Sequence, residues 1–475
     1  MKILFFSHYF PPEVNAPANR TFEHCRRWAA DGHDVTVVTC VPNCPEGVAY
    51  EGYRSRLRRQ VETIDGVNVV RVWSFLARNS RSNRRIISFA SYFLSAVWTA
   101  LWLKKPDVVV ATSPQFFCGW AGVWAARLKR VPCVVEIRDI WPASITAVGA
   151  IRKGIRTQFL EWLEKRMYQA AAHIVAVGTG YRDSIAPKVP EMQNRISVIP
   201  NGVDGEFYRP QPIDDAFLEQ HGLTNKFVCS YVGTIGMAHG LDVVVRAAKR
   251  LKQANRHDIA FLIVGDGANR AKLEQQVAAE NVADYVVFTG QLCKAQIPTV
   301  LASSDCCLIH LLCMELFATV IPSKIFETMA MNRPIVMGVC GPAREIVMEA
   351  GAGVPMTPES DAELKEIVTR LADDRDATID IGREARGFVL EHYNRDELAT
   401  EFLGLLHRVV GLPNGQCAMD DSDSREGIVR PVHWPQDKQT LQKKLGPQEN
   451  AAPQASGLPL EKGLGKSKKS AEQPA

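Results

Sequence analysis

Short apolar runs recur along this chain at intervals that leave room for a helix between them. Lys2-Ile-Leu-Phe-Phe-Ser7 leads into a polar, proline-rich loop reaching Arg20, then into a helical pattern that stops near Gly32-His33. Phe227-Val-Cys-Ser-Tyr-Val232 and Phe261-Leu-Ile-Val264 repeat the arrangement, each running into glycines and then a helix, the first of these from Leu241 to Leu251. A short apolar run bounded by turn residues suits a strand covered on both faces, and strands alternating with helices build parallel sheets. The pattern predicts strands at 2–7, 34–39, 67–72, 107–111, 132–137, 173–177 and 196–199, with Asn201-Gly-Val-Asp204 closing that half. A second set follows at 227–232, 259–264, 285–288, 306–310 and 334–337.

A chain of 475 residues exceeds what one core usually holds, so two domains are expected, at 1–200 and 201–394. Helical periodicity returns from Arg395 to Leu406. The segment 413–475 is rich in proline, glycine, glutamine and lysine. It lacks the apolar surface to order itself and is expected to be a disordered tail.

Two helical stretches in the first half bear on membranes. The run from Ile86 to Leu103 is uncharged, with Arg81, Arg84 and Arg85 before it and Lys104-Lys105 after it. Its length sits at the lower edge for crossing a bilayer, which takes about 20 residues. Ser88, Ser91, Ser95 and Thr99 add a weakly polar stripe, which suits a helix lying in the interface or packed on the sheet better than a spanning one. The stretch Ile151 to Met167 places Ile155, Phe159, Trp162, Leu163 and Met167 on one side, with Arg152, Lys153, Arg156, Lys165 and Arg166 around it. Such a helix either rests on anionic lipid or docks on its own domain.

Composition narrows the field. Hydrophobic content of 46% and charged content of 23% are ordinary for a soluble globular protein. A net charge of +4, without an arginine stripe interleaved with aromatics, argues against a nucleic-acid partner. The 12 cysteines are scattered, and neither Cys306-Cys307 nor Cys40 and Cys44 has zinc spacing, so reduced thiols in the cytosol are expected. The apolar run after Lys2 breaks at Ser7-His8, so export is not expected.

The chemistry concentrates in Pro322-Ser-Lys-Ile-Phe-Glu-Thr-Met-Ala330. Pro322 and Ser323 suit the first positions of a helix, whose free N–H groups attract phosphate, and Lys324 adds a full charge there. Glu327, one turn on, suits the paired hydroxyls of a ribose. The plainer alternative is a surface ion pair between Lys324 and Glu327. Glycines at strand ends, in Gly233-Thr-Ile-Gly236 and Gly265-Asp-Gly267, allow backbone N–H groups to approach a phosphate.

Taken in order, Pro11-Pro-Glu13, Ala16-Pro-Ala-Asn-Arg20, Glu136-Ile-Arg-Asp-Ile-Trp-Pro142, Pro200-Asn-Gly-Val-Asp204, Tyr231-Val-Gly-Thr-Ile-Gly236, Gly265-Asp-Gly267 and Pro322-Ser-Lys-Ile-Phe-Glu327 resemble the retaining glycosyltransferases of family 4, in their bacterial surface-polysaccharide branch. The resemblance covers roughly residues 1 to 410. It implies the α/β GT-B fold, two Rossmann-like parallel-sheet domains facing across a cleft, with the helix 395–412 packing back onto the first domain. It implies transfer of a sugar from a nucleotide-diphosphate donor, UDP-linked in this reading, to a lipid-linked or oligosaccharide acceptor.

By residue, the resemblance implies a donor site made of Gly233, Thr234, Gly236, Gly265, Asp266, Gly267, Gly290, Gln291, Ser323, Lys324 and Glu327, faced by the loop 315–322. Arg138, Asp139, Lys324 and Glu327 would be catalytic, and Glu13, Asn15, Asn19 and Arg20 would bind the acceptor. Arg138 stands where many relatives have histidine, Thr234 and His239 replace the usual arginine and lysine, and Thr319 replaces a glutamate; Arg138 and Asp139 could also simply pair at a strand end. Ala16-Pro-Ala18 replaces glycines, which predicts a stiffer loop. No metal or other cofactor is expected, since a lysine and helix dipoles can stabilise the leaving diphosphate. The implied setting is cytoplasmic and peripheral on the membrane's inner face, with a polyprenyl-diphosphate-linked saccharide as acceptor.

Two other classes stay open: a nucleotide-sugar 2-epimerase of the same fold, and a sugar-nucleotide-binding protein without turnover. A dinucleotide dehydrogenase fits less, because Gly265-Asp-Gly267 lacks a third glycine in register.

Overall fold

The computed structural model describes residues 1–44, 46–77, 83–113, 115–144, 154–314, 320–383 and 385–411. The expected tail at 413–475, Thr319 and the rest of 315–319, Arg81, Arg152 and Lys153 lie outside the described residues.

Eight strands form the first sheet: β1 (Lys2–Phe6), β2 (Asp34–Cys40), β3 (Gln60–Ile64), β4 (Val67–Val72), β5 (Val108–Thr112), β6 (Cys133–Ile137), β7 (His173–Ala176) and β8 (Ile196–Val198). Their order is β3-β4-β2-β1-β5-β6-β7-β8, parallel except for β3 against β4. Six strands form the second sheet: β9 (Phe227–Val232), β10 (Ile259–Val264), β11 (Val286–Gly290), β12 (Cys306–His310), β13 (Ile335–Gly338) and β14 (Gly353–Pro355). These run parallel in the order β11-β10-β9-β12-β13-β14. β5, β6, β10 and β12 are buried at every residue, which is why they read as apolar runs, broken only by Glu136 in β6 and ending in Thr112 in β5 and His310 in β12. The two parallel sheets have the GT-B arrangement.

The pattern of apolar runs missed two strands. β3 is a half-exposed edge strand whose residues alternate between facing the protein and facing water. Its signal lay in the Asp65-Gly66 turn, both residues at positive φ (46° and 79°), which closes a two-residue hairpin to β4. β14 has three residues, one of them proline, and is too short to leave a pattern.

The helix Arg395–Val410 packs on the helix Ala16–Ala30 and on the first sheet. Trp28 donates its ring N–H to the Ala399 carbonyl at 2.9 Å, and Phe402 meets Trp28 edge-on. Two chain crossings are zipped together at this point. Val203 N–H donates to Tyr393 O at 2.9 Å and Arg395 N–H to Val203 O at 3.1 Å. A Cβ on Gly202 would lie 2.3 Å from the Tyr393 carbonyl, so only glycine fits.

Three helices, Asn83–Trp102, Phe116–Lys129 and Ile155–Ala170, cover one face of the first sheet side by side. Gly119 and Gly122 allow the middle one to sit close: an added Cβ would lie 2.6 Å from the Met167 sulfur and 2.3 Å from the Ala111 Cβ respectively. The serine stripe of the first helix faces inward, which is the packing on the sheet that the sequence allowed. Ser88, Ser91 and Thr99 are buried with Tyr92, Ala96 and Ala100, and the Ser91 hydroxyl accepts from Phe75 N–H while donating to Ser88 O. Small residues let the helix approach the sheet, which turns its large residues outward. The apolar side expected for the third helix divides as well. Met167 is buried, while Ile155, Phe159 and Trp162 are exposed. Among the described residues no helix is long and apolar enough to cross a membrane.

Candidate active site

The carboxyl ends of β9, β10 and β11 carry the glycines singled out in the sequence, and three of them hold their own loops together. Gly233 and Gly265 have φ of 145° and 139°. A Cβ on Gly265 would lie 1.9 Å from Gly233 O, and one on Gly267 would lie 2.4 Å from Ile235 O. Their amides are engaged internally: Gly233 N–H donates to Val264 O, Gly265 N–H to Gly290 O, and Gly267 N–H to an Asp266 carboxylate oxygen. These glycines are there so that two loops can touch. Gly290, with φ of 77°, ends β11 beside the Arg270 guanidinium, and Gln291 beyond it is exposed.

The unengaged polar atoms lie against this loop pair. Lys324 opens the helix Lys324–Ala330, with Ser323 preceding it rather than standing inside it. At seven residues this helix has a small dipole, so the side chain carries the charge. The Lys324 ammonium sits 3.7 Å from the centre of the Tyr231 ring and would be 3.0 Å from a Cβ on Gly233. It is out of solvent and has no hydrogen-bond partner, Glu327 included. Burial drives its pKa down to about 7, with Glu327 pulling the other way.

His239 lies edge-on to the same Tyr231 ring, and its Nδ1 is likewise buried and unpartnered. Burial, and then the Lys324 charge, pushes His239 down to about 3. Its backbone is pinned by His310, whose Nδ1 must carry the proton because it faces the His239 carbonyl at 2.7 Å. The other His310 nitrogen accepts from Glu359 N–H, so His310 is held as the neutral tautomer. Glu327 is pushed upward by burial and held back by Arg395, Lys294 and Lys324, with the Tyr208 hydroxyl bonded to it. The surface ion pair between Lys324 and Glu327 is therefore not what forms.

A pocket across the cleft gathers Ala16, Asn19, Arg20, Glu23, His24, Arg138, Asn201, Gly202, Ser323, Glu327, Arg395 and Leu398. The structure separates the proposed acceptor residues. Asn19 lines the pocket, half-buried. Asn15 is the cap of its helix, its side-chain oxygen accepting from Ala18 N–H. Glu13 is buried and accepts from the Asn43 and Cys44 amides at 2.9 Å, so it shapes the neighbouring loop instead of facing the cleft. Arg20 uses four of its five N–H groups on Glu136 (2.8 Å), Pro200 O, Asn201 and Ile199 O. Its role is to clamp the first helix to the interdomain crossing.

Arg138 and Asp139 point apart. Arg138 donates to Pro17 O and Ala16 O at 3.2 and 3.1 Å. Asp139 accepts from the Ser144 hydroxyl at 3.0 Å, and burial raises its pKa to about 6. The strand-end pairing of the two does not occur. Glu23 joins the halves by accepting from Lys294 at 2.9 Å. Burial works against its ionisation, but Lys294, Arg395 and Arg26 outweigh it and hold the carboxyl near 2. Among the described residues no group of three or more His, Cys, Asp or Glu side chains converges as a metal site would.

Sequence reasoning missed Tyr208, Tyr231, Lys294, His310 and Arg395. His310 closing an otherwise apolar strand was a usable signal. The others depend on long-range packing that no local pattern encodes.

The model of the Glycosyl transferase 4-like domain matches residues 15–202, and that of the Glycosyl transferases group 1 matches residues 226–374. The chain is 26% identical over 344 residues to a protein of Escherichia coli K12 assigned to colanic acid biosynthesis as the glycosyl transferase WcaI, spanning 70% of this chain and 82% of that one. It is 28% identical over 217 residues to the E. coli UDP-Gal:alpha-D-GlcNAc-diphosphoundecaprenol alpha-1,3-galactosyltransferase, spanning 45% and 54%. Among solved structures, Anabaena HepE in complex with UDP-glucose superposes with a TM-score of 0.63 at 18% identity, covering 86% of this chain and all of that one. WaaG, a glycosyltransferase of lipopolysaccharide biosynthesis, superposes at 0.61 and 17%, covering 86% and 99%.

Proposed function

We propose, for a chain that belongs to the group 1 glycosyltransferases of family 4, that it moves a sugar from a UDP-linked donor to a polyprenyl-diphosphate-linked saccharide with retention of configuration. The observation that carries this reading is the pair of buried, unpartnered groups, Lys324 Nζ and His239 Nδ1, set against one tyrosine ring at the carboxyl end of a parallel sheet. Ligands bind at such strand ends in open α/β sheets. A buried ammonium without a partner is costly, and a diphosphate would satisfy it. Burial lowers the Lys324 pKa to about 7, the direction that cost dictates.

Lys324 then stabilises the charge that develops on the departing diphosphate. Glu327, ringed by Arg395, Lys294 and Tyr208, takes the ribose hydroxyls. Arg138 and Asn19, facing the cleft from the first half, position the acceptor. The acceptor hydroxyl attacks on the face the nucleotide leaves and passes its proton to the leaving phosphate, so no enzymic nucleophile and no metal is invoked. The acceptor's lipid is met by the aromatic face of the three helices over the first sheet, at the inner surface of the membrane.

The test is incubation with a panel of sugar nucleotides and a lipid-linked acceptor, following free nucleoside diphosphate, labelled lipid and product anomer. Labelled lipid of retained configuration is the expected result. A donor converted to its epimer without lipid labelling would point to the epimerase class, and donor binding without turnover to a non-catalytic protein.

A further inference from the structure

The cleft holds more positive charge than a donor diphosphate on Lys324 accounts for. Arg20, Arg138 and Arg395 line one pocket, arriving from the helix Ala16–Ala30, the end of β6 and the start of Arg395–Val410. Arg20 has its own carboxylate, Glu136. Arg138 has none: it donates only to backbone carbonyls, and its Nε is buried with no acceptor.

Arg395 donates Nε to Gly202 O at 2.8 Å, while its Nη1 is buried without a hydrogen bond. Glu23 stands 3.8 Å away and is already taken by Lys294, Arg26 and Arg27, and Glu327 feels the Arg395 charge without a hydrogen bond between them. His24 Nδ1, in the same lining, is also buried and unpartnered. Burial, together with repulsion from Arg20 and Arg395, brings Arg138 down to about 10 despite Glu136. Like charges held together, with donors left over, disfavour the empty pocket and favour one that holds an anion.

The pocket is not the Lys324 contact. Lys324, Tyr231, Gly233 and His239 do not line it; Ser323 and Glu327 do, so the two places adjoin at the start of Lys324–Ala330. Glu327 would repel an anion at that edge, which leaves the arginine side of the pocket for it.

We propose that Arg138 and Arg395 form a second anion site that grips one oxyanion of a substrate other than the donor diphosphate. Two sources carry that chemistry: a phosphate of the lipid-linked acceptor, or the carboxylate of an acidic sugar. The ligand's origin rests on the glycosyltransferase reading; the site itself rests on the arginines.

Calorimetric titration of the full-length protein with inorganic phosphate, glucuronate and neutral glucose, each with and without saturating UDP, tests this. Phosphate or glucuronate should bind in the presence of UDP, and glucose should not. Tighter phosphate points to the acceptor diphosphate, and tighter glucuronate to an acidic sugar. Arg395→Gln should weaken the anion at least ten-fold, and by more than it weakens UDP. Arg395→Lys, which keeps the charge and loses the fork, should fall between, and Arg138→Gln serves if Arg395 variants do not fold. Anion binding that UDP abolishes, or that no arginine variant weakens, would overturn the site. Arginine-dependent anion binding in a protein that turns over no sugar nucleotide would instead remove the enzyme reading and leave the site standing.

Discussion

The helices over the two sheets are built on opposite plans. In the second half, Asp242–Gln253 buries Val243, Val244, Ala247, Ala248 and Leu251 and exposes Arg246, Lys249, Arg250 and Lys252. Asp361–Asp373 beside it buries Leu364, Ile367, Val368 and Leu371. In the first half, the three helices bury small and polar residues such as Ser88, Ser91, Ala96 and Thr99 together with Tyr92, Phe116, Met167 and Tyr168, and still expose Trp98 (64%), Trp102 (68%), Trp124 (45%), Phe159 (58%) and Trp162 (51%). Lys104, Lys105, Arg127, Arg130, Lys165 and Arg166 are exposed on or next to the same helices. Architecture does not explain the contrast, because the sheets are alike. An aromatic face with basic neighbours is what a membrane interface selects, and large exposed apolar patches mark interaction surfaces. The second half turns its unpartnered cation inward; the first turns its aromatics outward.

The contrast presumes that the first half is a rigid platform, and its largest dependence is on Glu136. That carboxylate is fully buried between Arg20 and the Thr112 hydroxyl. Glu136→Ala leaves Arg20 buried without its counter-charge, which costs about 3–5 kcal/mol. Chemical denaturation should show this loss; a change under about 1 kcal/mol would mean the pair is effectively solvated.

Changing Trp98, Trp124 and Trp162 together to Ser should weaken binding to anionic phospholipid vesicles at least ten-fold, leaving UDP affinity alone. High salt should loosen the wild type only partly, since basic residues supply about 1 kcal/mol each near such a surface and the aromatics supply the rest. Equal vesicle binding by the variant would make the aromatic face a packing accident.

A smaller effect belongs to the second half. Folding lowers Lys324 from 10.5 to about 7. Between those values the unfolded chain holds a proton that the folded chain has released, so this group's contribution to stability rises with pH across that window. A diphosphate needs the charged form, so UDP affinity should fall roughly five-fold between pH 7 and 8, with proton uptake on binding. A flat profile there would mean the ammonium is charged in the empty site.

Legibility in the sequence followed burial. Strands covered on both faces announced themselves as apolar runs, and only the edge strand β3 and the three-residue β14 escaped. The spacing of Lys324 and Glu327 marked them as a pair to watch, but not that Lys324 would be buried without a hydrogen-bond partner. The role of the glycines was not legible, because Gly265 and Gly267 answer to Gly233 and Ile235 across a loop contact that local sequence does not encode. The family resemblance implied acceptor contacts for Arg20 and Glu13; the structure gives each a buried internal partner. The serine stripe left two placements open, in an interface or on the sheet, and a hydroxyl bonded to backbone is at home against a sheet.

Transfer to a lipid-linked acceptor by Lys324→Ala, measured beside wild type with vesicle binding and melting temperature on the same preparation, tests the central claim most directly. Loss of one charge-assisted contact to the leaving group is worth about 2–4 kcal/mol, so the rate should drop roughly a hundred-fold or more while vesicle binding and melting stay as they were. Transfer within a few-fold of wild type would contradict the assignment of Lys324 to the diphosphate, and with it the division of labour between the two halves.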